Sequence, residues 1–182
     1  MHNLRKIVVI GPESTGKSTL SESLARHFDT VWCPEYAREY LLKNGKEYTY
    51  DNLLTIAKGQ LAGEDACAPK ARNGLLFIDT DMYVMKVWSE FVFGKCDDWI
   101  LDQVVARKYD LYLLCNTDLP WVKDELREYP DLESRQRLYA IYKDIMINQS
   151  TPWVEISGGY DERLRKAING IEKFLLSGAM VV

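Results

Sequence analysis

Short, uninterrupted runs of apolar residues alternate along this chain with stretches that carry an apolar residue every three or four positions. The runs are rich in β-branched side chains and predict strands at 6–10, 30–33, 75–78, 111–115 and 153–156. Helical spacing is clearest within 84–92, 101–108, 138–145 and 164–175. Strands that are apolar throughout and alternate with helices predict a parallel sheet covered on both faces. We therefore expect an α/β fold of three layers around a five-stranded parallel sheet.

A glycine-rich motif lies between the first predicted strand and a helical pattern. Residues 11–18 read Gly-Pro-Glu-Ser-Thr-Gly-Lys-Ser and fill the P-loop pattern G-x-x-x-x-G-K-[ST]. On such a turn, backbone N–H groups and the positive end of the helix bind phosphate oxygens. We predict that Lys17 bridges the β- and γ-phosphates of ATP and that Ser18 ligates Mg²⁺. The predicted ATP-binding residues of this motif are Gly11, Glu13, Ser14, Thr15, Gly16, Lys17, Ser18 and Thr19.

Two acids, Asp79 and Asp81, follow the third predicted strand. Ligands of open parallel sheets bind beyond the carboxyl ends of the strands. Residues two apart in an extended segment point the same way, so both carboxylates should face such a ligand. We expect Asp79 to hold Mg²⁺ with Ser18 and to act in catalysis, and Asp81 to contact an acceptor hydroxyl. The structural alternative for Asp81 is to cap the helix that follows.

Glu35 follows the second predicted strand and falls beside the glycine-rich motif in this topology. An acid there can orient a hydroxyl group and accept its proton while the oxygen attacks a γ-phosphate. Arg38 lies one helical turn further and is a candidate to bind the acceptor or a phosphate. The alternative for the pair is compensation of the helix dipole by Glu35 and a surface salt bridge of Arg38.

The most polar stretch between elements lies within 120–137, which we interpret as a small helical lid. Arg127 is a candidate to stabilise charge on the transferring phosphate, and Arg135 and Arg137 are candidates to bind the nucleotide. Solvated helix faces are the alternative for these arginines. Trp121 is predicted either to stack on a base or sugar or to pack beneath the lid, whereas Trp88 is expected in the core.

Composition narrows the class of protein. A chain of 182 residues, 47% apolar, predicts a single domain, 1–182, with an ample core. The net charge of −4 argues weakly against a nucleic-acid partner, and no apolar run approaches the ~20 residues that span a bilayer. The first residues run directly into a predicted strand, unlike a signal peptide, and the four cysteines are widely spaced. We therefore expect a cytoplasmic protein with reduced thiols. We expect the tail at 178–182 either to fray or to pack on a second copy in a homo-oligomer.

Several blocks, taken in order, resemble a known family. Besides the glycine-rich motif they are Glu-Tyr-Ala-Arg-Glu at 35–39, Gly-Gln at 59–60, Phe-Ile-Asp-Thr-Asp at 77–81, Trp-Val-Lys-Asp-Glu-Leu-Arg at 121–127 and Tyr-Asp-Glu-Arg at 160–163. They are similar to the ribosylnicotinamide kinase domain of the bacterial NadR-type proteins, within the AAA-type P-loop domains. The resemblance spans about residues 7–175. The P-loop alone is unspecific, whereas the blocks together are much narrower.

The resemblance implies a P-loop kinase fold and transfer of phosphate from ATP to the 5′-hydroxyl of nicotinamide riboside, a small nucleoside. The product would be nicotinamide mononucleotide. Full NadR-type proteins carry an N-terminal nucleotidyltransferase domain, and we expect this shorter chain to be a stand-alone kinase or a relative with a changed acceptor. A kinase for another acceptor and an ATPase or ATP-sensing regulator remain alternatives.

Overall fold

Five parallel strands form the centre of the fold, which a computed structural model describes for residues 4–176. The strands are β1 (Arg5–Ile10), β2 (Val31–Cys33), β3 (Leu75–Asp79), β4 (Leu111–Cys115) and β5 (Trp153–Ile156). Their order across the sheet is β2-β3-β1-β4-β5, and every neighbouring pair is parallel. The predicted sheet is confirmed, since each predicted strand agrees with the observed one to within a residue at either end.

Seven α-helices within the described residues surround the sheet. They are α1 (Lys17–His27), α2 (Tyr36–Asn44), α3 (Tyr50–Cys67), α4 (Met82–Phe93), α5 (Asp98–Ala106), α6 (Leu132–Asn148) and α7 (Tyr160–Ile171). A short 3₁₀ turn, Ala68–Lys70, follows α3, and a π-helical turn, Glu172–Leu176, follows α7. The helices expected from apolar spacing are all present.

Alternating side chains of the strands divide the core into two layers. Ile7 and Val9 of β1 pack with Leu24 of α1 on one face, where α7 also lies. Val8 and Ile10 pack on the other face, against α4 and α6. Helices on both faces of a parallel sheet give the predicted three-layer P-loop kinase fold.

Helix α3, which the apolar spacing does not single out, builds a third cluster of buried residues beside the sheet. Thr49 begins the helix with a capping box, in which its side chain and that of Asn52 each accept a hydrogen bond from the other residue's backbone N–H. Leu53 and neighbouring apolar residues of α3 pack against α2, α4 and α5. Two buried polar residues, Gln60 and Glu64, interrupt this apolar face and obscure its period.

The predicted lid is only partly helical. Residues 121–131, called the lid segment below, are irregular, and regular helix begins at Leu132 with α6. Pro120 precedes this segment and Pro130 lies near its end, and a proline disfavours helical geometry in the residue before it. Among residues 4–176, no helix is both long and apolar enough to cross a membrane. The tail at 178–182 lies outside the described residues.

Truncation of Leu53 tests the contribution of α3 to stability. Leu53 is completely buried, so Leu53→Ala should lower the free energy of unfolding by about 2–5 kcal/mol, measured by urea denaturation. The matched control is Leu42→Ala on α2, where the leucine is 54% exposed and the change should stay within about 0.5 kcal/mol. Equal effects of the two substitutions would contradict the packing described for α3.

Candidate active site

The phosphate loop, residues 11–18, connects β1 to α1 in a shape that requires glycine. Gly11 has φ 140°, and a Cβ there would lie 2.6 Å from the carbonyl oxygen of Cys115 on the neighbouring strand. The Thr15 hydroxyl donates to the carbonyl oxygen of Pro12 at 2.7 Å and closes the loop on itself. The ammonium group of Lys17 donates to the same oxygen at 2.9 Å. The loop therefore holds its lysine against its own backbone.

Ser18 and Asp79 meet at the carboxyl end of β3. The Ser18 hydroxyl donates to Asp79 Oδ2 at 2.5 Å, while Asp79 Oδ1 is buried and accepts no hydrogen bond from the described residues. Burial, followed by the charge of Glu35, raises the pKa of Asp79 to about 7, and Lys17 opposes the shift. An unpartnered carboxylate oxygen beside a hydroxyl is an oxygen donor set that fits Mg²⁺.

Gln60 of α3 fixes the position of Glu35 relative to Asp79. Its side-chain oxygen accepts from the backbone N–H of Tyr36 at 2.8 Å, and its amide nitrogen donates to the backbone oxygen of Asp79 at 3.3 Å. The Tyr36 N–H belongs to the first turn of α2, where helix geometry provides no acceptor. One buried amide thus joins the residue after Glu35 to the end of β3. Sequence reasoning gave Gln60 no role beyond its place in the Gly-Gln block.

A cavity of about 230 Å³ opens between the phosphate loop, α2, α4, α6 and the lid segment. Glu35 and Arg38 both line it, and the phosphate loop forms one wall. Its remaining lining is largely apolar and aromatic: Ala37, Leu41, Val84, Trp88, Phe91, Leu126, Arg127, Glu128, Tyr129, Leu138 and Tyr142. Trp88, expected in the core, packs against the buried cluster of α3 and also reaches this wall. Its indole N–H donates to the Tyr48 hydroxyl at 2.8 Å.

The lid segment closes the cavity through polar contacts to the α2 side. Arg38 forms a two-pronged pair with Asp124, with nitrogen–oxygen distances of 3.2 and 3.0 Å. The Tyr48 hydroxyl donates to Glu128 at 2.9 Å. Arg127 donates to the carbonyl oxygen of Val122 within the segment. Of the three candidate arginines in 120–137, Arg127 is the one that lines the cavity.

Arg135, Arg137 and Trp121 do not line the cavity. Arg135 is 3% exposed and donates to backbone oxygens of Ser14 and Leu119. Its guanidinium group therefore binds the phosphate loop and does not face the cavity. The Arg137 guanidinium lies 5.4 Å from the centre of the Phe91 ring. Trp121 donates its indole N–H to Glu13 Oε1 at 3.2 Å, in keeping with the alternative that it packs beneath the lid. Contact of Arg135 and Arg137 with the nucleotide stays a prediction.

Asp81 caps α4, which is the structural alternative that its position left open. Its Oδ1 accepts from the backbone N–H groups of Tyr83 and Val84, at 3.0 and 3.3 Å, and its Oδ2 accepts from the Tyr112 hydroxyl at 2.8 Å. Burial raises the pKa of Asp81 to about 6. Thr80 has φ 78°, so the segment is not extended and the two acids do not face the same way. The expected contact of Asp81 with an acceptor is thus not supported by its position.

A buried arginine organises the other side of the phosphate loop. Arg163 of α7 donates to backbone oxygens of Thr15, Asn116 and Gly158, at 3.0, 3.0 and 2.7 Å, and pairs with Asp118. A smaller cavity of about 70 Å³ lies beside it, with a lining that includes Gly16, Thr19, Tyr160 and Asp161. Sequence reasoning assigned no role to this region, although the Tyr-Asp-Glu-Arg block marks it.

The conserved pattern of the AAA domain family matches residues 6–163. The chain belongs to this AAA domain family. Within it, the chain is 27% identical over 177 residues to the trifunctional NAD biosynthesis/regulator protein NadR of Escherichia coli strain K12, and equally to that of Salmonella typhimurium strain LT2. The match covers 94% of this chain and 43% of each relative, so the chain spans less than half of their length. The resemblance to NadR-type proteins is confirmed.

Solved structures of AAA domain relatives and other P-loop proteins share the fold. A NadR protein in complex with NR superposes with a TM-score of 0.78 at 24% identity, covering 94% of this chain and 49% of that one. A NadR protein with NAD and AMP-PNP gives a TM-score of 0.72 at 22% identity, covering 98% and 51%. Thymidylate kinase from Ehrlichia chaffeensis gives 0.65 at 15% identity, covering 94% and 98%. These likenesses confirm the P-loop kinase fold.

Removal of the Gln60 amide tests its positioning role. Gln60→Met keeps the length of the side chain but leaves the Tyr36 N–H without its acceptor, so the free energy of unfolding should fall by about 1–3 kcal/mol. Turnover of ATP should fall by about tenfold or more, because small displacements of reacting groups are costly. The control is Gln103→Met on α5, which lies away from the site. Unchanged turnover in a folded Gln60→Met protein would contradict this role.

Proposed function

We propose that this chain is an ATP-dependent phosphotransferase that phosphorylates the 5′-hydroxyl of nicotinamide riboside to give nicotinamide mononucleotide. The observation that carries the proposal is the cavity that joins the phosphate loop to Glu35 and to a largely aromatic wall. It is large enough for a small acceptor and opens directly onto the site for phosphate. The relatives named for NAD biosynthesis support the choice of acceptor.

The phosphate loop supplies the binding of ATP. Its backbone N–H groups and the N-terminus of α1 would hold the phosphate oxygens, with the charge of Lys17 on the β- and γ-phosphates. Ser18 and Asp79 would hold Mg²⁺, which when bound neutralises charge on the phosphates. In this structure Lys17 is held by the Pro12 carbonyl oxygen, so it would exchange that contact for phosphate oxygens when ATP binds.

Glu35 is our proposed base. The 5′-oxygen of the acceptor attacks the γ-phosphorus, the bond from that phosphorus to the bridging oxygen of ADP breaks, and Glu35 accepts the hydroxyl proton. Two observations support this role: Glu35 lines the cavity, and its charge acts on Asp79 at the phosphate loop. Arg127, which lines the same cavity, would stabilise charge on the transferring group.

The aromatic wall suits a flat cationic ring. Trp88, Phe91 and Tyr129 all line the cavity, and the carboxylate of Glu128 lies beside them. Faces of aromatic rings attract cations, and a neighbouring carboxylate adds to that attraction. These residues take the place that sequence reasoning gave to Trp121 and Asp81. Arg38 remains a candidate to bind the acceptor or a phosphate. The four free thiols support the cytoplasmic location that we also propose.

A competition assay tests the acceptor. With ATP and Mg²⁺, and with nicotinamide riboside, adenosine and thymidine at equal concentration, nicotinamide mononucleotide should form fastest, because neither competitor carries a cationic ring. Mass spectrometry measures each monophosphate, and Lys17→Ala serves as the inactive control. Faster phosphorylation of adenosine or thymidine would refute the choice of acceptor. Hydrolysis of ATP with no phosphorylated nucleoside would refute the nucleoside kinase activity and favour the ATPase alternative.

Replacement of the proposed base separates binding from transfer. Glu35→Gln keeps the size of the side chain but cannot accept the proton, so the rate of phosphate transfer should fall about 10²- to 10⁴-fold. The affinity for ATP, measured by calorimetry, should change little because the phosphate loop is intact. Glu39→Gln on α2, outside the cavity lining, is the matched control. A loss of less than about threefold would exclude Glu35 as the base.

A further inference from the structure

Glu13 lies within the phosphate loop, yet its carboxylate is bound by the lid segment. Oε1 accepts from the Tyr129 backbone N–H at 2.7 Å and from the Trp121 indole N–H at 3.2 Å. Oε2 accepts from the Glu128 backbone N–H at 2.9 Å. Hydrogen bonds to an ionised carboxylate are stronger than those between neutral groups. Three such bonds from one irregular segment make Glu13 its main polar anchor on the phosphate loop.

The next residue extends this connection along the backbone. The Ser14 side-chain oxygen accepts from the backbone N–H of Val122 at 3.0 Å, and the Ser14 carbonyl oxygen accepts from Arg135 at 3.3 Å. Ser14 itself has φ 56°, an unusual conformation for a residue other than glycine. The lid segment is thus fastened to two successive residues of the loop that would hold the phosphates of ATP.

The residues held by Glu13 form part of the acceptor wall. Glu128 and Tyr129, whose N–H groups Glu13 accepts, both line the cavity, as do Leu126 and Arg127 directly before them. The segment has no helix or strand of its own, so its backbone N–H groups depend on such side-chain acceptors. Loss of the anchor would therefore free this wall while leaving the opposite wall, on α4 and α6, in place.

We propose that Glu13 is a positioning residue that fastens the acceptor-binding wall to the phosphate loop, so that the loop shapes the acceptor site as well as the ATP site. The identity of the acceptor rests on the function proposed above, but the anchoring itself does not. Glu13 acts on the acceptor through Glu128 and Tyr129. Every Glu13 variant keeps the backbone N–H that the function proposed above assigns to phosphate.

Hydrogen–deuterium exchange tests the anchoring without any substrate. In Glu13→Ala, peptides that cover 121–131 should exchange at least about tenfold faster, because local opening of the segment becomes easier. Glu13→Gln keeps one acceptor oxygen but sets an N–H₂ group against one of the donors, so its exchange should be intermediate. Glu125→Ala is the matched control, since Glu125 belongs to the same segment but forms only an exposed pair with Lys46. Unchanged exchange in Glu13→Ala would overturn the proposal.

Steady-state kinetics distinguishes positioning from a general loss of structure. The KM for nicotinamide riboside should rise about tenfold in Glu13→Ala and less in Glu13→Gln, while the KM for ATP should change less than threefold. An equal rise of both KM values would overturn the proposal. If the wild-type protein phosphorylates no nucleoside, the proposed function fails, and the exchange measurement still decides the role of Glu13. If Glu13→Ala does not fold, Glu13→Gln and Trp121→Phe, which removes one of the three donors, provide the same comparison.

Discussion

A buried guanidinium group joins the loops that follow three different strands. Arg163 is 1% exposed and donates to carbonyl oxygens in the loops after β1, β4 and β5. A guanidinium group is stable away from water only when its N–H donors have acceptors. Here the three carbonyl oxygens and Asp118 are those acceptors. Arg163 belongs to α7, and its hydrogen bond to the Thr15 carbonyl oxygen stabilises the open, glycine-dependent shape of the phosphate loop.

The remainder of the site follows the same principle, in which a side chain from one element satisfies the backbone of another. Gln60 joins the start of α2 to the end of β3, and Glu13 joins the phosphate loop to the lid segment. These contacts lie at the carboxyl edge of the sheet, where β1 and β3 are neighbours. Irregular segments cannot satisfy their own backbone groups, so a site built from loops requires such partners.

The sequence predicts the strands and the phosphate loop well because both depend on short-range patterns. Five apolar runs and one eight-residue motif are sufficient to place the sheet and the phosphate loop. The apolar spacing did not predict helix α3 because two polar residues, Gln60 and Glu64, occupy its buried face. There they form hydrogen bonds with residues of distant elements. The sequence did not predict the aromatic cavity wall for a related reason. Trp88 and Tyr129 are 41 positions apart, and no local pattern shows that they share a cavity.

The contrast between Asp79 and Asp81 shows how one backbone angle limits what sequence spacing can predict. Two acids separated by one residue would face the same way on an extended strand, but Thr80 takes a positive φ of 78° between them. This conformation is costly for a β-branched residue, and the surroundings hold it: Thr80 is 1% exposed and its backbone N–H donates to the Val9 carbonyl oxygen at 3.2 Å.

The turn at Thr80 leaves Asp79 against Ser18 and buries Asp81 against Tyr112. Three glutamates line the cavity: Glu13, Glu35 and Glu128. Glu13 is bound by the lid segment, and Glu128 accepts from Tyr48. Glu35 accepts no hydrogen bond from any residue in 4–176, which supports our proposal that it receives the proton of the acceptor hydroxyl. Because the same turn buries Asp81 against Tyr112, our proposal for the base rests on Glu35 and not on Asp81.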